Sequence, residues 1–113
     1  MRSKFLLGLL YCSFALSFAQ EGKVTNHIYE GNEDVQKEAY IKAEKSYRKA
    51  LSLAPEKATA LYNLGNTHFL DKKYDEASQR FFQTQKFASS KEDKHKAFHN
   101  MGNVYMQKKE YQK

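Results

Sequence analysis

Apolar and small residues recur at steps of three and four along much of this chain, which is the spacing of one helix face. Between residues 58 and 91 they occupy positions 61, 64, 65, 69, 74, 77, 81 and 87. The polar run Asp71-Lys72-Lys73 interrupts the pattern, and there one helix can stop and an antiparallel partner begin. The pattern therefore predicts a helical hairpin.

The hairpin pattern is repeated along the chain. The pair Gly-Asn occurs at Gly31, Gly65 and Gly102, and each Gly is followed nine residues later by a tyrosine, at Tyr40, Tyr74 and Tyr111. The glycines are 34 and 37 residues apart, a period typical of repeat proteins. A single hairpin cannot bury its apolar face, so the repeats are expected to stack into a solenoid with a concave surface.

The repeat divides the chain into units at residues 20–57, 58–94 and 95–113. In the first unit His27 and Glu30 replace the leucines of the second, so we expect a degenerate capping unit whose first helix, Val24–Gln36, is frayed at its start. Pro55 is expected to end that hairpin. The third unit stops soon after Tyr111, and we interpret it as truncated. The alternative is a frayed tail, with Phe98 packed back onto the second unit.

Two features of the repeat predict how it packs. Three extra residues fall in the polar run 89–94, where Ser90 and Asp93 have the spacing of a helix capping box. Gly65 would cost about 1 kcal/mol in a helix interior relative to Ala, so we expect it to permit close approach to Ala77. The predicted packing residues are Gly65, Tyr74, Ala77, Phe81, Tyr40, Ala43, Tyr47, Gly102 and Tyr111.

The first 19 residues have the pattern of a secretory signal peptide. A basic start at Arg2 and Lys4 precedes the apolar run 5–18, and small residues at Ser17 and Ala19 precede Gln20. The run has 14 residues and would span about 21 Å as a helix, short of the ~30 Å bilayer core. We therefore expect cleavage after Ala19, with an uncleaved anchor as the alternative.

Charge and cysteine content narrow the function classes. The net charge is +6, and cleavage would leave about +4 and no cysteine, because Cys12 lies in the leader. Basic and acidic residues are interspersed as on solvated helix faces, without a basic stripe that could read bases. Nucleic acid is therefore not an expected partner, and membrane association is expected only indirectly or through an uncleaved signal.

Several residues resemble the tetratricopeptide repeat. Leu64, Gly65, Ala77 and Phe81 match the family pattern in the second unit, while Ala50 and Pro55 supply its later part in the first unit. His68 stands at the usual aromatic position and Phe69 follows one place late. The resemblance spans residues 24–113 and implies an all-α, TPR-type antiparallel helix-hairpin solenoid of about two and a half repeats.

The resemblance also implies a peptide-binding groove along the first helix of each unit. Asn63 and Asn66 lie one turn apart, and their amides offer both donors and acceptors to an extended backbone, although they could instead bond to neighbouring helices or face water. The expected groove residues are Asn32, Tyr62, Asn63, Asn66, Phe69, Lys96, His99 and Asn103, with Ile28, Val35 and Met106 beside them.

Two more specific sites are not expected. Asn32, Asn63 and Lys96 match a carboxylate clamp of chaperone-binding relatives, but Ile28 and Asn100 replace two of its three cations. His95 and His99 are four residues apart, yet no further Cys or His pair completes a zinc site. No nucleophile elbow or phosphate loop is present in the sequence, so we expect neither an enzyme nor a cofactor or metal.

A narrower resemblance is carried by the runs 62–66, 99–103 and 46–51, which are similar to the tetratricopeptide proteins of the Bacteroidetes aerotolerance (Bat) operon. The resulting hypothesis is an exported, periplasmic or envelope-associated scaffold, in a Bat-type complex, that binds a peptide or protein partner in its groove. The alternative is a self-assembling repeat module without a peptide ligand.

Overall fold

The computed structural model describes the backbone of residues 2–111 and the side chains of residues 11–110. Five α-helices make up this part of the chain, and it contains no strand. In chain order the helices are α1 (Arg2–Gln36), α2 (Tyr40–Leu53), α3 (Ala58–Leu70), α4 (Tyr74–Phe87) and α5 (Lys91–Tyr111). The predicted all-α solenoid of helix hairpins is confirmed.

Two turns of the same design form the hairpins α1–α2 and α3–α4. After α3, the Lys72 amide donates to the Phe69 carbonyl and the Lys73 amide to the His68 carbonyl, at 3.1 and 2.8 Å. This is a Schellman motif, in which the residue after the helix is left-handed. Lys72 has φ 61° and its counterpart Glu38 has φ 59°, so both repeats reverse direction without the usual glycine.

Short links connect α2 to α3 and α4 to α5. Pro55 lies in the short link between α2 and α3, as predicted. At the start of α5, the Asp93 amide donates to the Ser90 hydroxyl oxygen at 3.1 Å, which confirms Ser90 as the cap.

The helices bury two adjoining apolar clusters. The first joins α1, α2 and α3 through Val24, Ile28, Ala43, Tyr47, Ala50, Ala60 and Leu64. The second joins α4 and α5 through Ala77, Phe81, Ala97 and Val104, with Tyr62, Phe69, Tyr74 and Met101 packed against it. Helix α3 therefore packs against the hairpin before it as well as against its own partner α4, which gives the continuous core expected of stacked repeats.

Glycine permits close packing in the first two units, and the atoms nearest to each glycine belong to an aromatic ring. A Cβ added to Gly65 would lie 2.7 to 3.0 Å from three ring atoms of Phe81, and the expected approach to Ala77 stays a prediction. Gly31 faces the Tyr47 ring in the same way, at 2.5 to 2.8 Å. The physical reason is that a flat ring needs more clearance than a methyl group, so the glycine seats the aromatic residue 16 positions later.

The predictions for α1 require one correction. Val24 does not begin a frayed helix: α1 continues through it without a break, and Val24 is 4% exposed within the first cluster. Apolar contacts with α2 and α3 fix this part of α1. Residues 11–23 are exposed, and the large apolar side chains of Tyr11, Phe14, Leu16 and Phe18 are each more than 60% exposed.

The third unit also departs from the sequence pattern. Helix α5 continues to Tyr111, which was predicted as a packing residue and whose side chain lies outside the described residues. Gly102, predicted as a packing residue, faces open space: a methyl group added to it would meet no atom within 4 Å. In the first two units, a residue with a Cβ is left-handed at the turn, and the packing of the second helix offsets that cost. Within the described residues no helix follows α5, so nothing offsets such a turn there.

Phe98 and Met101, both in the third unit, differ in how far their side chains are buried. Phe98 is 60% exposed, so the alternative in which it packs back onto the second unit is wrong. Met101, expected to be uncovered, instead packs against the second cluster.

Candidate functional site

Asparagine side chains connect α1 to α3 across the predicted groove. Asn32 Oδ1 accepts a hydrogen bond from the Tyr47 hydroxyl at 2.6 Å and a second one from Asn63 Nδ2 at 3.1 Å. Burial, with the charge of Asp34 adding to it, raises the pKa of Tyr47 to about 12. The hydroxyl therefore stays protonated as the donor, and the two bonds fix which way the Asn32 amide faces.

The same residue type connects α3 to α5. Asn100 Nδ2 donates to the Tyr62 hydroxyl oxygen at 2.9 Å and to Asn66 Oδ1 at 3.2 Å. The Tyr62 ring is itself held edge-on against Phe81, with ring centroids 5.7 Å apart. We refer to Asn32, Asn63, Asn66, Asn100 and Tyr62 as the asparagine ladder, because these side chains link α1, α3 and α5, the first helices of the three units.

The asparagine ladder leaves hydrogen-bonding groups unused on the groove side. Asn63 donates through its amide nitrogen and Asn66 accepts through its oxygen, so each retains its other polar atom. Among the hydrogen bonds of the described residues, none engages Asn32 Nδ2, Asn63 Oδ1, Asn66 Nδ2 or Asn100 Oδ1. An extended peptide has unpaired N–H and C=O groups along its backbone, so spare donors and acceptors in series are suited to it.

Two hollows lie along the asparagine ladder. The first, of about 250 Å³, lies between α1 and α3 and is lined by Asn32, Val35, Gln36, Tyr47, Asn63, Asn66 and Thr67. The second, of about 540 Å³, lies between α3 and α5 and is lined by Tyr62, Lys91, Glu92, His95, Lys96, His99 and Asn100. They have no lining residue in common, but Asn66 of the first hydrogen bonds to Asn100 of the second, so we treat the two hollows together as the candidate groove.

The structure brings together most of the predicted groove residues. The first hollow holds Asn32, Asn63, Asn66 and Val35, and the second holds Tyr62, Lys96 and His99. The proposed alternative role for Asn63 and Asn66, bonding to neighbouring helices, applies as well: each uses one polar atom for the ladder and retains another.

Four predicted groove residues lie elsewhere. Phe69 packs against Tyr74 at 5.9 Å between ring centroids, because its position one place late turns it toward its own hairpin partner. Ile28 is 8% exposed in the first cluster. Asn103 and Met106 are exposed and line neither hollow.

Sequence reasoning missed several residues that line the two hollows, and Asn100 and Tyr47 are the two with hydrogen bonds to the ladder. Asn100 stands two residues before Gly102, just as Asn63 stands two residues before Gly65, and this equivalence was the signal that could have found it. Tyr47 was assigned to packing alone, but its hydroxyl also orients Asn32. No sequence pattern indicated that second role, because it depends on where the ring emerges from the core.

A charged cluster connects α2 to the α3–α4 turn outside the groove. Glu44 accepts hydrogen bonds from Arg48 at 2.8 Å and Lys73 at 3.2 Å. Burial alone would raise the pKa of Glu44, but those two bonds and nearby positive charge lower it overall. His68 is 1% exposed beside this cluster, and its burial lowers its pKa. These groups stabilise the junction between repeats and do not face the groove hollows.

The chemistry of the remaining side chains adds no second site. The described residues contain no group of three or more His, Cys, Asp or Glu side chains that could hold one metal ion. His95 and His99 are both exposed and line the second hollow. The absence of a cofactor, a metal and an enzymatic activity stays a prediction. Within the part of the chain searched, no helix is both long and apolar enough to cross a lipid bilayer.

Stacked hairpins with a polar groove across their first helices define a helical repeat solenoid of the kind used for protein interaction. Residues 31–72, from the last turns of α1 to the turn after α3, match the family model described as TPR repeat. No curated protein matches the chain significantly. The fold is therefore an all-α TPR-type solenoid, a type of repeat that generally mediates protein–protein interaction or scaffolding and is typically non-catalytic.

Proposed function

We propose that this protein is an exported, non-catalytic scaffold that binds an extended segment of a protein partner in the concave groove. The observation that carries the proposal is the asparagine ladder, which spans α1, α3 and α5 and keeps one polar atom of each asparagine unused. A groove whose polar groups are already oriented loses less conformational freedom on binding a peptide.

Export is proposed from the leader pattern of residues 1–19. The exposed apolar side chains at Tyr11, Phe14 and Leu16 support it, because they contribute nothing to the repeat core. Cleavage after Ala19 would remove them and leave Val24 in its buried position. A periplasmic or envelope location, and a place in a Bat-type aerotolerance complex, are proposed from the similarity of the runs 62–66, 99–103 and 46–51.

The groove proposal is tested by selecting binders from a random peptide library displayed on phage. Wild-type protein should enrich a peptide family, and Asn63→Ala should weaken those peptides about five- to tenfold, as expected for the loss of roughly one net hydrogen bond. Gln79→Ala removes an amide from α4, outside the groove, and should leave binding unchanged.

Thermal melts followed by circular dichroism would establish that both variants are folded at the assay temperature. Equal retention of the selected peptides by Asn63→Ala and wild type would overturn the groove proposal, and so would the absence of any enriched family.

A second candidate function is self-assembly of the solenoid. It is favoured by the outer face of α5, where Phe98, Tyr105 and Met106 are 60%, 72% and 65% exposed beside the open Gly102. Light scattering across a concentration series decides it. A self-assembling module gives a mass that rises with concentration and falls again in Phe98→Ser, whereas a constant monomer mass excludes it.

A further inference from the structure

We propose that the α3–α5 end of the groove receives an acidic side chain, so that the bound segment of the partner carries Asp or Glu at that point. The inference rests on the proposed groove function and adds to it the charge and position of the ligand. It is carried by an imbalance of charge between the two hollows and by the Tyr62 hydroxyl, whose ring is held against Phe81.

The two hollows differ sharply in charge. Among the described residues, no charged side chain lines the α1–α3 hollow. The α3–α5 hollow is lined by two lysines, two histidines and one glutamate, and it is the larger of the two. A concave site with an excess of positive charge concentrates anionic groups, and the neutral hollow beside it does not.

The lysines of the α3–α5 hollow are accessible to a ligand. Lys96 approaches Glu92 at 3.7 Å, but their side chains are 58% and 80% exposed, and ion pairs this exposed contribute little. Asp93 lines an adjoining hollow with Lys96, yet the two form no ion pair in the described part of the chain. Among the ion pairs of the described residues, none involves Lys91. A ligand carboxylate can therefore replace Glu92 as the partner of Lys96 and find a second cation in Lys91.

Tyr62 supplies the directional contact. Its hydroxyl oxygen accepts from Asn100 at 2.9 Å, while the described residues provide no acceptor for its own hydrogen. The contact of its ring with Phe81 limits how far the hydroxyl can move. A donor held beside two lysines is suited to a carboxylate, because hydrogen bonds to ionised acceptors are stronger than those to neutral ones.

Concavity argues for a peptide side chain over an anionic lipid surface. The hollow lies between two helices and adjoins the asparagine ladder, whose unused amides would bind the backbone on either side of the acidic residue. A flat membrane surface could meet the exposed lysines but could not reach the Tyr62 hydroxyl and the ladder together. The charge at this end therefore sets where along the groove an acidic residue lies.

The test uses the whole chain and two fluorescent ten-residue probes, one of alternating Ser and Glu and one of alternating Ser and Gln. Both are acetylated and amidated, so side-chain carboxylates are their only anions. Fluorescence anisotropy at low salt should give at least a tenfold higher affinity for the Glu probe, and the advantage should shrink as salt rises.

Two charge-reversed variants locate the effect. Lys91→Glu with Lys96→Glu should remove the preference for the Glu probe, measured as the ratio of the affinities for the two probes. Lys45→Glu with Lys49→Glu changes the net charge equally on α2, outside both hollows, and should retain the preference. Tyr62→Phe, which keeps the ring against Phe81, should reduce the preference about threefold or more.

Each remaining outcome overturns the inference. Equal affinity for both probes refutes the acidic preference alone, provided that Asn63→Ala still weakens both, and leaves the groove function standing. Binding of neither probe refutes both proposals. If Lys45→Glu with Lys49→Glu reduces the preference for the Glu probe as much as Lys91→Glu with Lys96→Glu does, the net charge of the protein causes the preference and the hollow does not. Displacement of the Glu probe by phosphatidylserine vesicles, but not by neutral vesicles, would assign the lysines to a membrane surface.

Discussion

At the scale of single residues, the repeated glycine serves to seat an aromatic ring. Gly31 receives Tyr47 and Gly65 receives Phe81, each 16 residues further along the chain. Gly102 has the same place in the repeat but meets nothing within the described residues. Identical sequence positions thus have different energetic roles, which depend on whether a second helix covers the glycine.

The same substitution at two of these glycines should have opposite effects. Gly65→Ala would place a methyl group within 3.0 Å of the Phe81 ring, which is 1% exposed and cannot move aside freely. We expect a loss of about 1–3 kcal/mol of unfolding free energy from overpacking, whereas Gly102→Ala should gain up to about 1 kcal/mol from helix propensity. Urea denaturation measures both, and a neutral Gly65→Ala would contradict the seating role.

His68 should make stability depend on pH in the mildly acidic range. Burial lowers its pKa from the ordinary value of 6.5, with Glu44 opposing and Arg80 reinforcing the shift. The unfolded chain therefore binds a proton first, so stability is complete above pH 6.5 and declines as the pH falls below it. The slope should approach about 1.4 kcal/mol per pH unit.

Urea denaturation between about pH 7 and 5.5 tests this dependence. His68→Phe removes both the titrating group and Nε2, which has no hydrogen-bond partner in the described structure, so its stability should be flat over that range. His95→Gln, at an exposed position, should retain the wild-type slope. If the wild type, His68→Phe and His95→Gln all show the same dependence of stability on pH, a group other than His68 binds the proton.

At the scale of helices, the period of the apolar residues was enough to predict α2, α3 and α4, because each buries one face along its whole length. The limits of α1 and α5 were not predictable in this way. In α1 the apolar leader and the capping helix join into one helix, and α5 runs without interruption from Lys91 to Tyr111. The start of α1 and the end of α5 both extend beyond the part of the helix that packs in a hairpin, so the apolar period does not mark where they lie.

In the α3–α4 turn, glycine should be more stable than the lysine that occupies the left-handed position. Lys72 adopts the left-handed conformation at φ 61°, which is unfavourable by about 1–2 kcal/mol for a residue with a Cβ, a cost that is absent for glycine. Lys72→Gly should therefore raise the unfolding free energy by roughly 0.5–1 kcal/mol, less the added entropy of the unfolded chain.

Lys42→Gly is the matched control, because it makes the same change at an exposed position inside α2. It should lower stability by about 1 kcal/mol. Thermal denaturation of the two variants distinguishes them, and a decrease for both would show that the turn gains nothing from glycine.

At the scale of the whole molecule, the repeats form one continuous core with uncovered surfaces at its two ends. The apolar start of α1 projects beyond the first cluster, and the outer face of α5 presents Phe98 and Tyr105 to solvent. Between these ends the groove is defined by α1, α3 and α5 together. Its polar character could be predicted from the asparagines, but the charge difference between its two hollows could not.

Removal of residues 1–19 should leave the solenoid folded. Gln20, which makes one exposed hydrogen bond to the Leu53 carbonyl, is retained, and among the described residues the buried part of α1 starts at Val24, so no core contact described in the structure is lost. We expect a change of less than about 1 kcal/mol in unfolding free energy and higher solubility, since the exposed side chains of Tyr11, Phe14, Leu16 and Phe18 are among those removed. A non-cooperative melt of the shortened chain would show that the leader segment is part of the fold.

The amino-acid sequence was enough to predict the helical repeat, its period, the hairpin turns and three asparagines of the groove, Asn32, Asn63 and Asn66. These follow from local periodicity and from residue types, which are visible without knowing which helices meet. Only the tertiary structure decided that Gly65 faces Phe81, that Tyr47 orients Asn32, and that Asn100 joins α5 to α3. Such contacts depend on how far each helix rotates when its apolar face is buried, a property of the packed repeats together that no single repeat contains.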